Sequence, residues 1–504
     1  MENIMHLMQG FNVLFTFQNI IVTIFGAILG LLVGAMPGIG SLAGVALLLP
    51  LTFKFNPTTA IIMLGALYYA NMYGGAFSSI LIGIPGDGPA VMTMMDGFPM
   101  ATQRKRPGQA LLTSNISSFT GGLIGMLILT FMGPLLAEIG LKFGPAEMTA
   151  LLLVAMTSIG WLVGENPTKG ILLTMVGILL ASMGMDTLSG NPRYDFGNIY
   201  LLGGIPFVPF VIGMVGFSQV MRLMNERHQE TKLAVSKLSI KESMITLHDF
   251  RRLLPPAIRS GFLGTFVGVL PGAGATTAAF MGYAVQKSFK SEEPLGTGAI
   301  EGIASCESAN NAAAAGAFAP LLALGIPGSG TGAVLLGGLM MWGLNPGPLL
   351  FTNSPEFAWG LIASLFLANI ITLIISWGVI PFLVKILSVP TKLMIPVITV
   401  VCIVGSYSTS NSMYGVLVMF ISGVLGYILN RTGYQTAPAV LSFVLAPLLE
   451  SNMRKAFIIS QGSLGIFFEK PISLVFMIIL LVIVLFPAAR LILTKLGLIT
   501  KKNK

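Results

Sequence analysis

Charged side chains are scarce in this chain. Asp, Glu, Lys and Arg make up only 9% of its 504 residues, and hydrophobic residues make up 54%, whereas soluble domains carry about 25% charged residues. Little of the chain could therefore form a soluble domain. Its long apolar stretches, together with the interrupted ones described below, predict an all-α polytopic membrane protein with roughly 10–12 membrane spans.

Cysteine and histidine are also rare, with two and three residues respectively. Cys306 and Cys402 lie in apolar surroundings, which suits neither a disulfide framework nor a metal cluster. The sequence has no Gly-Lys-Ser/Thr phosphate loop and no nucleophile elbow. We therefore expect neither an ATP-driven pump nor an enzyme, and no cofactor.

The net charge of +9 does not indicate a nucleic-acid partner, because Lys and Arg gather in loops and in the tail. This distribution follows the positive-inside rule and places residues 104–106, 222–252 and 501–504 in the cytoplasm. The polar stretch 222–252 is predicted to be a linker. It divides the chain into a first membrane repeat, 1–221, and a second, 253–504.

Proline and glycine interrupt the apolar runs at four places. The first half carries Pro-Gly at Pro37 and again at Pro85, and the second half carries it at Pro271 and Pro327. A break in a spanning helix exposes backbone groups that lipid cannot satisfy, so it survives only inside protein or beside a wet cavity. Paired breaks in two halves predict the substrate site of a secondary transporter.

The two halves are predicted to be inverted repeats with broken helices or re-entrant hairpins. A Gly-Ala-Phe triplet precedes the second break of each half, ending at Phe77 and Phe318. Basic residues 104–106 follow the second break of the first half, whereas the corresponding residues 344–357 contain no Lys or Arg. Opposite charge at corresponding loops implies opposite topology.

No Arg lies between residues 30 and 97 or between 261 and 343, so an anion bound at the breaks needs other positive groups. Half-helix N-termini offer unpaired N–H groups and a partial positive charge, small hydroxyls add hydrogen bonds, and glycine allows close approach. The predicted substrate-binding residues are Gly38, Gly40, Ser41, Pro85, Gly86, Gly272, Gly274, Thr276, Thr277, Pro327, Gly328 and Ser329.

A coupling cation would balance the remaining charge. Asn71, Glu307, Asn310 and Asn311 supply the hard oxygen ligands that suit Na⁺ in broken-helix transporters. Alternatively, Glu307 carries a proton, because burial disfavours the charged form of a carboxyl group. The coupling ion is thus Na⁺ or H⁺.

Each of these features also has a purely structural interpretation. Glu307 could be a buried group that bonds a neighbouring helix, and Asp87 could cap a helix start. Asp96, which precedes Gly97, is interpreted as a cytoplasmic turn. The small residues that follow Asn311 are interpreted as a helix-packing surface.

Six runs resemble the large membrane subunit of the tripartite tricarboxylate transporters, and the resemblance covers essentially the whole chain. The most specific is Glu-Ser-Ala-Asn-Asn at 307–311 followed by Gly-Ile-Pro-Gly at 325–328. The six runs are residues 34–41, 83–87, 95–99, 268–277, 301–311 and 325–331. Two positions depart from the pattern: Cys306 stands where proline is expected, and Asp87 where Glu is common.

The resemblance implies the permease subunit of a binding-protein-dependent transporter in the bacterial inner membrane. It implies uptake of a carboxylate, typically citrate, driven by a Na⁺ or proton gradient. The implied partners are a small four-helix membrane subunit, a periplasmic substrate-binding protein and membrane lipid, and an elevator-like motion is expected by analogy. The alternatives are a passive anion channel and a membrane scaffold subunit.

Overall fold

The computed structural model of the chain describes residues 2–36, 39–162, 167–186, 189–225, 238–387 and 391–495. Pro37, Gly38, residues 226–237 of the predicted linker and the tail 501–504 lie outside the described residues. Within those ranges, the only sheet is an antiparallel pairing of β1 (Gly184–Met185) with β2 (Pro192–Arg193). All other regular elements there are helices.

In the first half of the chain, α1 and α2 precede the first break, and α10 and α11 precede the linker. They are α1 (Glu2–Leu14), α2 (Phe17–Ala35), α3 (Gly40–Leu48) with a 3₁₀ extension (Leu49–Lys54), α4 (Pro57–Ile82), α5 (Ala90–Thr102), α6 (Pro107–Gly140), α7 (Pro145–Leu162), α8 (Pro167–Ala181), α9 (Ile199–Leu202), α10 (Phe207–Val211), a π-helical segment (Ile212–Phe217) and α11 (Ser218–Asn225).

The second half starts inside the predicted linker, because its first helix begins before residue 252. Its helices are α12 (Leu247–Val269), α13 (Gly274–Gln286), α14 (Ile300–Gly316), α15 (Phe318–Leu324), α16 (Gly330–Met341), α17 (Leu350–Asn353), α18 (Pro355–Val379) with a 3₁₀ turn (Ile380–Phe382), α19 (Leu383–Leu387), α20 (Thr391–Ser410), α21 (Met413–Arg431), α22 (Ala437–Ile459), α23 (Ile466–Glu469) and α24 (Pro471–Lys495).

The predicted all-α polytopic membrane fold is confirmed. In the described ranges, six helices are long and apolar enough to cross a membrane, and six shorter apolar helices accompany them. The six long ones are Phe17–Ala35, Pro57–Ile82, Pro107–Gly140, Phe207–Asn225, Pro355–Phe382 and Met413–Arg431. The shorter ones include α3 and α16, which both begin at a break.

Local sequence explains where the long helices begin and end. The side chain of Asn56 accepts the Thr59 N–H at 2.8 Å, with Pro57 in the first turn, so α4 starts there. α4 ends at Gly83, and α15 ends at Gly325, both with φ of 68°. That left-handed conformation favours glycine and terminates a helix. The second breaks of the two halves therefore share one backbone geometry.

The two halves contain the same succession of elements around their breaks. α2 and α3 correspond to α12 and α13, α4 to α14 with α15, α5 to α16, and α6 to α18. Gly40 and Gly274, which open α3 and α13, have φ of 65° and 64°. In the second half, the side chain of Arg259 in α12 donates to that of Gln286 in α13. The end of α13 thus lies beside the middle of α12, as a re-entrant hairpin requires.

Glycine lets α2 lie directly on α4, and α12 directly on α14. In each half, the helix that begins a hairpin (α2–α3 or α12–α13) thus contacts the helix that follows it. A Cβ on Gly30 of α2 would lie 2.9 Å from the Ala70 Cβ of α4. On α12, a Cβ on Gly268 would lie 2.6 Å from the Cα of Ala313 in α14. Such contacts bring helix backbones into van der Waals contact, which is how helices associate inside a membrane.

The corresponding helices α4 and α14 run in opposite directions. α6 runs parallel to α14 and antiparallel to α18, whereas α18 runs parallel to α4. Successive residues in contact fix these directions. For α6 and α14 they are Gly121–Ser308 and Gly125–Ala312, and for α4 and α18 they are Gly65–Leu365 and Tyr73–Asn369. For α6 and α18 they are Phe119–Asn369 and Gly133–Phe351, where Phe351 lies in α17, directly before α18. An inverted repeat requires opposite directions, and the internal symmetry itself stays a prediction.

Candidate functional site

The four breaks of the chain meet at one centre. The half-helices α3, α5, α13 and α16 all begin there. The Oγ of Ser41 in α3 lies 3.0 Å from the Oγ1 of Thr331 in α16, and a Cβ on Gly88 would lie 2.7 Å from the Thr276 Oγ1 of α13. The two halves of the chain therefore face each other through their interrupted segments.

Asp87 occupies the start of α3. Its Oδ2 accepts the Ser41 N–H at 3.0 Å, and its Oδ1 accepts the Gly88 N–H at 2.7 Å. A helix start favours a negative charge, so this half-buried carboxylate is already an anion at the first hairpin. Asp87 therefore caps a helix start. The capped helix is α3, which follows the first break, whereas Asp87 itself follows the second break.

The corresponding segments of the second half carry no carboxylate, since residues 270–277 and 325–331 contain neither Asp nor Glu. Ser329 caps α16 by accepting the Gly332 N–H at 3.1 Å, and its side chain also hydrogen-bonds Tyr68. Thr276 is exposed, and Gly274 and Ser329 are half-buried. This side of the centre is polar, accessible and free of acidic groups.

The predicted substrate-binding residues divide into an accessible group and a packed group. Those at the centre with some exposure are Gly40, Pro85, Gly274, Thr276, Thr277 and Ser329. Those that are buried are Ser41, Gly86, Gly272, Pro327 and Gly328. Gly86 packs on α2 and α4, where its N–H donates to the Gly75 carbonyl at 3.4 Å, and a Cβ on Gly328 would lie 2.9 Å from the Gly268 carbonyl oxygen. Gly38 lies outside the described residues.

Glu307 lies fully buried in α14 and joins three helices. The Oγ1 of Thr93 in α5 donates to its Oε1, and the Oγ of Ser118 in α6 donates to its Oε2 at 2.9 Å. The side chain of Asn310 hydrogen-bonds the same carboxylate. Glu307 therefore bonds neighbouring helices, and this arrangement is compatible with the structural interpretation and with a role in ion coupling.

Unpaired amide oxygens follow this carboxylate by about one turn on α14. The Oδ1 atoms of Asn310 and Asn311 are buried without a hydrogen-bond partner, and so are both amide atoms of Asn71 on α4. The Nδ2–H of Asn311 donates to the Glu307 backbone carbonyl at 3.1 Å, whereas the side chain of Asn71 has no hydrogen-bond partner. A buried polar atom without a partner is costly, and a cation would satisfy such oxygens. In the described residues, no group of three or more His, Cys, Asp or Glu could hold a metal ion.

A second buried polar cluster joins the two halves beside Glu307. Tyr73 and Tyr69 of α4 donate to the Oδ1 of Asn369 in α18, at 2.6 and 3.1 Å. Asn369 in turn donates to the Phe119 carbonyl of α6 at 3.1 Å. Gly122 leaves the space that the Tyr69 hydroxyl fills. Sequence reasoning missed this cluster, since three isolated polar residues in apolar helices do not reveal that they meet.

The interpretation of Asp96 as a cytoplasmic turn is wrong. Asp96 lies within α5 with no exposed surface, because backbone N–H groups of the segment before α14 satisfy its carboxylate and the helix continues to Thr102. Thr93 and Asp96 lie three residues apart on α5, so they share a face. In the sequence, the signal for Thr93 and Asp96 as buried polar residues is a charged residue one turn after a threonine in an apolar helix.

The comparisons with known proteins agree with this architecture. The profile of the Tripartite tricarboxylate transporter TctA family matches residues 20–441. The "Uncharacterized 52.8 kDa protein in TAR-I ttuC' 3'region" of Agrobacterium vitis is 39% identical over 474 residues, which cover 94% of this chain and 94% of that protein.

A second protein of Agrobacterium vitis, the "Uncharacterized protein in TAR-II ttuC' 3'region", is 43% identical over 211 residues. That match covers 42% of this chain and 87% of that protein. No solved structure matches the chain. The family profile and the first relative each extend over most of the chain. This chain therefore belongs to the tripartite tricarboxylate transporter TctA family, a family of membrane transport proteins that work with further subunits.

Proposed function

We propose that this chain is the permease subunit of a binding-protein-dependent secondary transporter that imports a carboxylate, with citrate as the first candidate, by symport with Na⁺ or H⁺. One observation carries the proposal: four half-helices of a transporter-family protein begin at a single centre between its two halves. That arrangement puts unpaired N–H groups and partial positive charge at one point inside a membrane protein.

The substrate carboxylate binds on the side of the centre that the second half provides. The start of α13, with Gly274 and Thr276, is accessible, and Ser329 at the start of α16 lies beside it. The start of α3 already holds the Asp87 carboxylate. Helix starts and hydroxyls can bind a carboxylate without Arg or Lys, which fits the absence of Arg from residues 261–343.

The coupling ion binds near Glu307. The unpaired Oδ1 atoms of Asn310 and Asn311 and the Glu307 carboxylate supply oxygen ligands for Na⁺, and Asn71 is a further candidate from α4. If the ion is H⁺, Glu307 is the group that carries it, because an ionisable side chain buried among membrane helices commonly marks a proton relay.

In the proposed assembly, this chain lies in the bacterial inner membrane and works with two partner proteins. A periplasmic binding protein delivers the substrate, and a small four-helix membrane subunit completes the permease. We propose that the hairpins α2–α3 and α12–α13 move with the substrate relative to the other helices in an elevator-like step. That motion would alternate access to the substrate at the centre.

Uptake into proteoliposomes tests the proposal. This chain and its small partner subunit would be reconstituted, the binding protein added, and labelled citrate and other carboxylates supplied under an inward Na⁺ gradient, an inward proton gradient or neither. Concentrative uptake under one gradient is the expected result and identifies the ion. Uptake that only equilibrates under all three conditions would refute symport in favour of a channel.

A further inference from the structure

The buried carboxylate of Asp96 is stabilised by hydrogen bonds and not by a neighbouring Lys or Arg. Its Oδ1 accepts three backbone N–H groups, from Gly296 at 2.8 Å, Gly298 at 3.0 Å and Ala299 at 2.8 Å, and its Oδ2 accepts the Tyr283 hydroxyl at 2.8 Å. None of the ion pairs in the described part of the chain involves Asp96. Four donated hydrogen bonds therefore hold this charge in place of a counter-ion.

These bonds make Asp96 the anchor of the turn that leads into α14. All three N–H groups lie before the first helical residue, Ile300, and the last of them belongs to Ala299, directly before α14. Gly296 and Gly298 have φ of 88° and 99°, a conformation open to glycine that turns neighbouring N–H groups towards one anion. The carboxylate comes from α5 in the first half, so it fastens one half of the chain to the other.

The same face of α5 reaches Glu307. Thr93 lies one turn before Asp96 and donates to the Glu307 Oε1. Glu307 lies eight residues after Ala299, about 12 Å further along α14. α5 therefore contacts the α14 region at two points. Asp96 binds the turn before the helix, and Thr93 binds the Glu307 carboxylate. Together these two contacts fix the position of Glu307.

Other contacts keep the segment before α14 in place if the Asp96 bonds are weakened. The guanidinium of Arg252 in α12 pairs with Glu293 and, at 2.9 Å, with Glu301. The Nε of Arg104 donates to the Thr297 carbonyl at 2.7 Å. A variant of Asp96 thus changes the position of α14 without releasing the segment, which makes its effect on Glu307 measurable.

We propose that Asp96 is a positioning residue for the coupling ion: by holding the turn that leads into α14 from α5, it keeps the Glu307 carboxylate in register with Thr93 and Ser118. This inference rests on the proposed role of Glu307 in ion coupling. Asp96 does not touch the ion or the substrate; it acts through the helix that carries Glu307.

The test compares Asp96→Asn and Tyr283→Phe with the control Glu138→Gln, which removes an exposed carboxylate on α6. The first readout is the thermal stability of the purified full chain across a Na⁺ titration and across pH, which requires no uptake. We expect Asp96→Asn to raise the half-saturating cation concentration by about 3-fold, less than the roughly 10-fold or more that follows loss of a group bonded directly to an ion ligand. Tyr283→Phe, which removes one bond of four, should give a smaller shift, and Glu138→Gln none.

The second readout is uptake in proteoliposomes, where Asp96→Asn should raise the cation concentration needed for half-maximal rate while the substrate KM at saturating cation stays within about 2-fold. A uniform loss of thermal stability with an unchanged cation dependence would show a merely structural role and overturn the inference. So would a wild-type chain whose stability responds to neither Na⁺ nor pH. Cation-dependent stability without concentrative uptake would refute symport but leave the positioning role supported.

Discussion

Replacing Asp87 by Asn should strengthen the binding of multiply charged carboxylates. In the proposed mechanism the substrate anion binds at the start of α13, and Gly88 packs directly on Thr276 there, so the Asp87 carboxylate lies close to the bound charge. Asparagine keeps the shape of the side chain, and its one amide oxygen can still accept either the Ser41 N–H or the Gly88 N–H. The substitution therefore removes the charge and one of two hydrogen bonds.

The magnitude follows from Coulomb's law. Two unit charges on the order of 6 Å apart repel by about 3 kcal/mol at an effective dielectric constant near 20. Asp87 is half-buried, and water and salt reach it, so we discount this to about 1.5 kcal/mol for each substrate carboxylate nearby. That corresponds to roughly tenfold tighter binding. The gain should grow with the number of carboxylates, from acetate through succinate to citrate.

Isothermal titration of the purified chain with these three acids measures the effect, and a control variant, Asp195→Asn, removes a carboxylate in the loop between β2 and α9. The series of charges is the critical comparison. If Asp87→Asn binds all three acids more weakly, Asp87 belongs to a cation site and the reasoning is refuted. An equal gain for acetate and citrate would likewise exclude charge repulsion as the cause.

Three further predictions concern the coupling carboxylate and the glycines. Glu307→Gln should abolish gradient-driven uptake while expression and folding stay intact, and normal uptake would remove Glu307 from the ion site. Gly272→Val places a β-branched residue at φ of 80° and crowds the hairpin tip, so transport should be lost, and retained transport would place the substrate elsewhere. Gly30→Ala should lower the free energy of unfolding by about 1–3 kcal/mol, because its Cβ would meet Ala70 on α4. The matched change Gly378→Ala, with nothing within 4 Å of the new Cβ, should be neutral or stabilising; equal thermal shifts for the two would contradict the packing argument.

The sequence was sufficient to locate the breaks, because they follow local rules. Proline removes a backbone donor, and glycine adopts positive φ, so Pro-Gly inside an apolar run ends a helix whatever the rest of the chain does. Gly83 and Gly325 end their helices with the same φ. The half-helices that begin after each break were predicted for the same reason.

The partners of the buried charges could not be predicted in this way. Thr93 and Glu307 are 214 residues apart, and Asp96 and Ala299 are 203 apart. Each pair meets only because α5 of the first half packs against α14 of the second. Locally, Asp96 resembles part of a turn, since Gly97 and Pro99 follow it. Its tertiary bonds to the segment before α14 override that local preference, and the helix runs through Pro99.

The breaks of the two halves share φ angles at their glycines but differ in charge, and this difference indicates separate roles for the two halves in the proposed mechanism. Counted from the second breaks, Asp87 corresponds to Ser329, and Glu307 corresponds to Gly65. The first half thus has a carboxylate at its tip where the second has a hydroxyl, and no carboxylate where the second has Glu307. A substrate anion is favoured at the tip without the fixed negative charge, and a cation beside the buried carboxylate. Both ligands in the proposed mechanism therefore bind to the second half, while the first supplies Thr93, which bonds Glu307 one turn after α5 leaves the centre. Because α12 packs directly on α14, a step that moves the hairpin α12–α13 relative to α14 would alter both sites together, as symport requires.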